Sequence, residues 1–314
     1  MLQMIDTSRA PKMPPPLDAG TARQRVIDFM REASFEATRP SNADIRTIGG
    51  ILNRGMPVYL TALPGRDPTE LVAPAMSVRE AGLEPVPHIA ARHFEDMRAI
   101  DRLLGRLNAE ARVTRVMLIG GDTGTPAGSV LDAQQVIDSG VLQNNGICDV
   151  GLPGFPDGHP VLSDDEVECS LVTKLAAAQS AGLEPHIVTQ FCFDVPPILR
   201  WIEWLRDRGL HVPVRVGFAG PTSLMTWLNF ARKCGVRASA EALAKRSGLI
   251  KQAFRTVAPD PLIRQVAEAT AGGRLGDVSP HIFSFGGIAS TARWTMGPVT
   301  GDLRLTPEGG FTAE

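Results

Sequence analysis

Short apolar runs alternate along this chain with longer stretches whose apolar residues recur every three or four positions. The runs Ala33–Ala37, Pro57–Ala62, Pro85–Ala90, Arg115–Gly120, Gly146–Leu152, Pro185–Phe193, Pro213–Phe218 and His281–Phe285 read as strands. Several are nearly continuous in Val, Ile, Leu and Phe, the pattern of parallel strands covered on both faces. Between them, residues 43–54, 68–82, 94–109, 130–140, 164–181, 196–209 and 222–234 carry apolar positions at helical spacing. Asn42, Ser163 and Thr222 are the expected caps, and Gly55, Gly82, Gly182 and Gly209 stand where helices should stop. A further helical region, 238–272, precedes the last run.

Strand and helix repeated in series with short connections predict an α/β chain folded as a (β/α)8 TIM barrel. A doubly wound open sheet is the alternative, but no G-x-G-x-x-G follows the first strand. The division expected is 1–32 as an irregular, Pro-rich N-terminal extension with a first helix, and 33–314 as a single catalytic barrel.

Composition narrows the partners. A barrel takes about 250 residues, so 314 leaves room for the extension. With 32 Lys+Arg against 34 Asp+Glu the net charge is −2, which favours neither nucleic acid nor an anionic membrane. No apolar run is long enough to span a bilayer, and the first twenty residues lack the apolar core of a signal peptide. A cytoplasmic protein acting on a small molecule is the expectation, with a homo-oligomer admitted. Cys148, Cys169, Cys192 and Cys234 form no C-x-x-C pair and read as buried free thiols. The six histidines show no zinc-binding spacing, so no metal is expected.

In such a barrel, chemistry sits at the carboxyl ends of the strands. Strand one ends on Glu36, strand three brings His88, strand four runs into Gly120, Gly121 and Asp122, strand five into Phe155 and His159, and strand six into Gln190. These residues are expected on one face. Bland roles stand beside them: Asp122 as a helix cap, His159 as a turn residue bonded to backbone, and the glycines 120, 121, 124 and 128 as turns rather than surfaces open to a ligand. Gln190 in an apolar strand is harder to dismiss, because a buried amide needs partners. Lys12, Lys174, Lys233, Lys245 and Lys251 all lie off the strand ends, so a Schiff-base mechanism lacks its nucleophile. No Ser or Cys stands beside a His as a nucleophile pair.

Four motifs in order, "SFE", "GGD", "GFPDGHP" and "TQFCFD", resemble the 5,10-methylenetetrahydrofolate reductases, whose pattern is S-F-E, R-G-D, G-Y-P-E-G-H-P and T-Q-F-F-F-D on a (β/α)8 barrel. The likeness runs from about residue 33 to 300 and has the character of a divergent bacterial branch. It implies an oxidoreductase that converts 5,10-methylenetetrahydrofolate to 5-methyltetrahydrofolate, or the reverse, with NADH or NADPH through bound FAD. It implies Glu36 as the acid and Asp122 as the carboxylate under pterin and flavin. It also implies Asp122, Gln190, Thr226, Phe230 and Arg293 as substrate-binding residues. Thr61, His88, Gly120, Gly121, Asp122, Ala133, Phe155, His159 and Lys174 are implied as the flavin site. Gly120 replaces the family's arginine, Thr226 a glutamine, and Gly287 an arginine that Arg293 would substitute, so weak FAD binding is the expectation. A pterin-binding methyl-transfer barrel without redox chemistry and an inactive ligand-binding barrel are the rival readings.

Overall fold

The computed structural model describes Pro11 and residues 17–233 and 256–313. Eight parallel strands, β1 (Ser34–Ala37), β2 (Pro57–Leu60), β3 (Glu84–Ala90), β4 (Arg115–Ile119), β5 (Asp149–Gly154), β6 (Glu184–Thr189), β7 (Val214–Ala219) and β8 (Val278–Phe283), form a closed barrel in the order β1-β8-β7-β6-β5-β4-β3-β2. Helices lie between successive strands, as the alternation of periods predicts, and the fold is a TIM barrel. Every residue of β1 is buried, and β3 is buried from its second residue onward. Side chains alternate across a strand, so continuous burial means both faces are covered, which is why these strands are written as unbroken apolar runs.

By contact, the described residues fall into two compact units. The first unit, Phe35–Pro153 with Cys169–Val188, pairs β1 with β2, β2 with β3, β3 with β4 and β4 with β5. Its helices present fully buried Ile45, Ile48, Ile100 and Leu104 to the strands. Each such side chain contributes about 1.5–3 kcal/mol by leaving water. The second unit runs up to Ser34, through Gly154–Glu168, and from Thr189 onward. There β7 pairs with β8, and helix Ala19–Arg31, capped by Asp18, packs on helices Asp260–Thr270 and Ile288–Thr300. Among the described residues no helix is long and apolar enough to cross a membrane.

Several local expectations need correcting. Ser41, not Asn42, caps helix Asn42–Gly49: its hydroxyl accepts from the Asp44 N–H while the Asp44 carboxylate accepts from the Ser41 N–H. Thr222 lies in a two-residue strand, and the hydroxyl of Ser223 receives the Thr226 N–H at the start of helix Leu224–Lys233. The last barrel strand begins at Val278, three residues before the expected start, because Ser279 and Pro280 interrupt the apolar run. Of the region expected as helix 238–272, residues 238–255 lie outside the described residues, 256–257 form a short strand and Asp260–Thr270 is helical. Cys148 and Cys169 are exposed rather than buried; Cys192 is buried, and Cys234 lies outside the described residues.

Candidate active site

Glu36 is the third residue of β1, and only 9% of it is exposed. The strand runs one residue past it, to Ala37. The Thr61 hydroxyl, one residue past β2, donates to Glu36 Oε1 at 3.3 Å. His88, on β3 and 8% exposed, places Nε2 3.4 Å from Glu36 Oε2. That is long for a hydrogen bond, and Nε2 makes no bond of normal geometry among the described residues. Three strands of one unit thus bring a carboxyl, a hydroxyl and an imidazole to one spot at their carboxyl ends. Beside them opens a cavity of about 280 Å³. Leu60, Leu63 and Phe94 form apolar wall, Thr61 and His88 polar points, and the charges are mixed, Arg39 and Arg66 with Asp67 and Glu70.

Asp122 does not cap a helix. The next helix, Ala133–Asp138, is capped by Asp132. The Asp122 carboxylate is exposed, and its Oδ1 lies 3.3 Å from Nε2 of His93, a residue the motif reading passed over. The glycines of this loop divide by role. A side chain at Gly128 would collide with the Glu95 carbonyl, so Gly128 serves packing of the chain on itself. Gly120 and Gly124 have nothing within 4 Å of where a Cβ would stand, and that backbone is open to approach. Gly121 has φ +101°, a conformation that favours glycine. Ala133 is buried at the start of its helix. Lys174 is largely withdrawn from water; burial lowers its pKa, and the charge of Asp132 opposes that shift.

The second unit holds the remaining candidates. Gln190 follows β6, and its side-chain carbonyl accepts the Phe191 N–H at 3.1 Å. His159 takes the turn role: its Nδ1 accepts from the N–H groups of Val161 and Leu162 at 3.2 and 3.1 Å. The ring packs edge-on to Phe155 at 4.8 Å, and burial lowers its pKa, keeping the imidazole neutral. Phe230 stacks on Phe285 at 3.9 Å and 9°, at the edge of a cluster that includes Phe191, Phe193, Trp227 and Phe283. Phe285 carried no signal, since nothing in "SFGG" marks it as more than a strand end. The Thr226 hydroxyl lies 2.9 Å from that of Ser223, and Arg293 is exposed on helix Ile288–Thr300. Burial, with Asp157 and Asp194 nearby, pushes the Cys192 thiol well up, so it is no nucleophile.

No protein-family model matches the chain. Among curated proteins, methylenetetrahydrofolate reductase 1 of Schizosaccharomyces pombe is 30% identical over 91 residues, 29% of this chain and 14% of that protein. Methylenetetrahydrofolate reductase 2 of Saccharomyces cerevisiae is 25% identical over 216 residues, 67% of this chain and 33% of that protein. A solved dihydropteroate synthase from Thermus thermophilus aligns with TM-score 0.45 and 13% identity over 83% of this chain and 89% of that one. The matched stretches span about a third or less of the curated relatives. Over that stretch the chain resembles methylenetetrahydrofolate reductases.

Proposed function

We propose that the chain reduces 5,10-methylenetetrahydrofolate to 5-methyltetrahydrofolate with NADH or NADPH. The observation that supports this reading most directly is the buried Glu36 carboxyl between the Thr61 hydroxyl and His88. The substrate is a closed aminal and a poor hydride acceptor. A proton delivered to its N10 breaks the bond from that nitrogen to the methylene carbon, and the resulting 5-iminium cation takes up hydride at carbon. Glu36 is the donor. Its Oε1 keeps the Thr61 hydrogen bond after the proton leaves, and His88 faces the other oxygen, so the carboxylate formed is stabilised on both sides. The 3.4 Å separation is of the kind that tightens when substrate closes a site.

The residues present fit a flavin. Within the first unit, Thr61 and His88 would stand at its ring, the open backbone at Gly120 permits close approach, and Lys174 would bring a cation to a phosphate. FAD held there would supply a hydride relay between nicotinamide and folate. With glycine at 120, one cation is missing where the family has arginine, so binding is expected to be labile: flavin absorbance should fall on extended dialysis.

The test is oxidation of NADH and of NADPH, each with and without methylenetetrahydrofolate and added FAD. Folate-dependent oxidation with 5-methyltetrahydrofolate as product supports the reading, and its absence under all conditions removes it. Gln190→Glu refines the assignment. A carboxylate still accepts the Phe191 N–H, so the strand end is kept, but the two amide donors are lost and charge is added. Folate turnover should drop about 10-fold or more while flavin affinity is unchanged; equal losses in both would make Gln190 a holder of the strand.

A further inference from the structure

Barrel interiors are filled mainly by layers of Val, Ile and Leu. Inside the first unit, four polar side chains instead form a continuous column that the reaction above does not use. Arg115 of β4 donates through Nε to Asp149 Oδ2 of β5 at 2.7 Å, with Nη2 at 2.6 Å. Asp149 Oδ1 lies 2.6 Å from Nδ1 of His186 on β6. His186 Nε2 lies 2.7 Å from the hydroxyl of Tyr59 on β2. His186 is 4% exposed and Tyr59 is fully buried.

The charges set the direction of every bond. Asp149 as carboxylate can only accept, so His186 Nδ1 carries a proton. In the neutral imidazole Nε2 then accepts, and the Tyr59 hydroxyl donates. Room for the imidazole is provided by Gly151: a Cβ there would stand 2.8 Å from both His186 Nε2 and Met117 Sδ. The Tyr59 ring, held by its hydroxyl, lies edge-to-face with two imidazoles, His186 at 6.3 Å and 80° and His88 at 6.2 Å and 83°. His88 is the neighbour of Glu36.

We propose that Tyr59, tethered through its hydroxyl to His186 and Asp149, is the positioning residue that sets the His88 imidazole against the Glu36 carboxyl. Tyr59 is fully buried, and its ring fixes the plane of His88. A Leu at 59 would fill much of the same space but could neither hold the tether nor present an aromatic edge. Only the kinetic part of the test rests on the reductase reading.

The experiment compares Tyr59→Leu and Tyr59→Phe with the unaltered protein. The first readout is the imidazole resonances of His88 and His186 in ligand-free, 15N-histidine-labelled protein, followed against pH. In Tyr59→Leu the His88 ring resonances should shift at a fixed pH, and His186 should lose its single tautomer. Tyr59→Phe keeps the ring and should shift both less, in the same direction. The second readout is kinetic: kcat should fall about 10-fold in Tyr59→Leu with KM little changed, the mark of a misplaced group rather than lost binding. If Tyr59→Leu does not fold, Gly151→Ala, which displaces His186 without removing a donor, replaces it. Unmoved His88 resonances in the variants overturn the positioning role even if the melting temperature falls. Moved resonances in a protein with no reductase activity support the positioning role and overturn the reductase reading.

Discussion

On the reductase reading proposed above, Glu36→Gln should reduce methylenetetrahydrofolate roughly 100-fold or more slowly than the unaltered protein, the scale of losing a general acid. Glutamine keeps the shape and can still accept the Thr61 hydroxyl. What it lacks is a proton it can give away, so the aminal stays closed and hydride has no acceptor. With FAD bound as proposed, hydride transfer to it from NAD(P)H would need no such proton, and that half-reaction should continue at its normal rate. Stopped-flow measurement of both halves on one variant separates the two. Melting temperature should change little, because the amide can also face His88. A variant that reduces the folate at the unaltered rate would take Glu36 out of the mechanism.

Asp149→Ala should cost about 3 kcal/mol of stability, because it leaves a buried His186 and a part-buried Arg115 without the carboxylate that joins them. Burial by itself would raise the Asp149 pKa. The hydrogen bonds from His186 and Arg115, with the charge of Arg115, outweigh burial and lower it below the ordinary carboxylate value of 3.8. The folded protein therefore binds this proton later than the unfolded chain does. The stability it contributes is complete above the unfolded value and is lost as pH falls through the folded one. Urea unfolding at a series of acidic pH values should show a steep loss in the unaltered protein and a shallower one in Asp149→Ala. Parallel slopes would show that this carboxylate is not the group linking acid to unfolding.

The barrel was legible because its strands are covered on both faces and so are written as apolar runs, while its helices repeat at a different period. Edges were lost where sequence and environment part ways. Pro280 and Ser279 hide the start of β8, though the strand pairs with β7 from Val278. Helix Ile288–Thr300 was not foreseen, since it opens on Gly287 and carries Gly297 and Pro298 within it. Single-residue shifts in capping, Ser41 for Asn42, arise because neighbouring polar residues compete for one role. At the site, Glu36 stands out through the SFE motif, whereas Thr61 and His88 are named only as flavin neighbours through the family resemblance; their places beside Glu36 depend on strand pairing. His93, Tyr59, His186 and Asp149 lie far apart in sequence, in contexts with no motif of their own. Their pairing depends on which strands are neighbours and on the space that Gly151 leaves, and neither is written in a local pattern.

The single tyrosine and the four tryptophans give the two units separate optical signatures. Tyr59, locked to His186, belongs to the first unit, whereas Trp201, Trp204, Trp227 and Trp294 all belong to the second. Phenolic absorbance therefore watches one half of the molecule melt, and indole emission watches the other. In a denaturant titration the two traces will superimpose if the halves unfold as one cooperative body, and will separate along the denaturant axis if either gives way first.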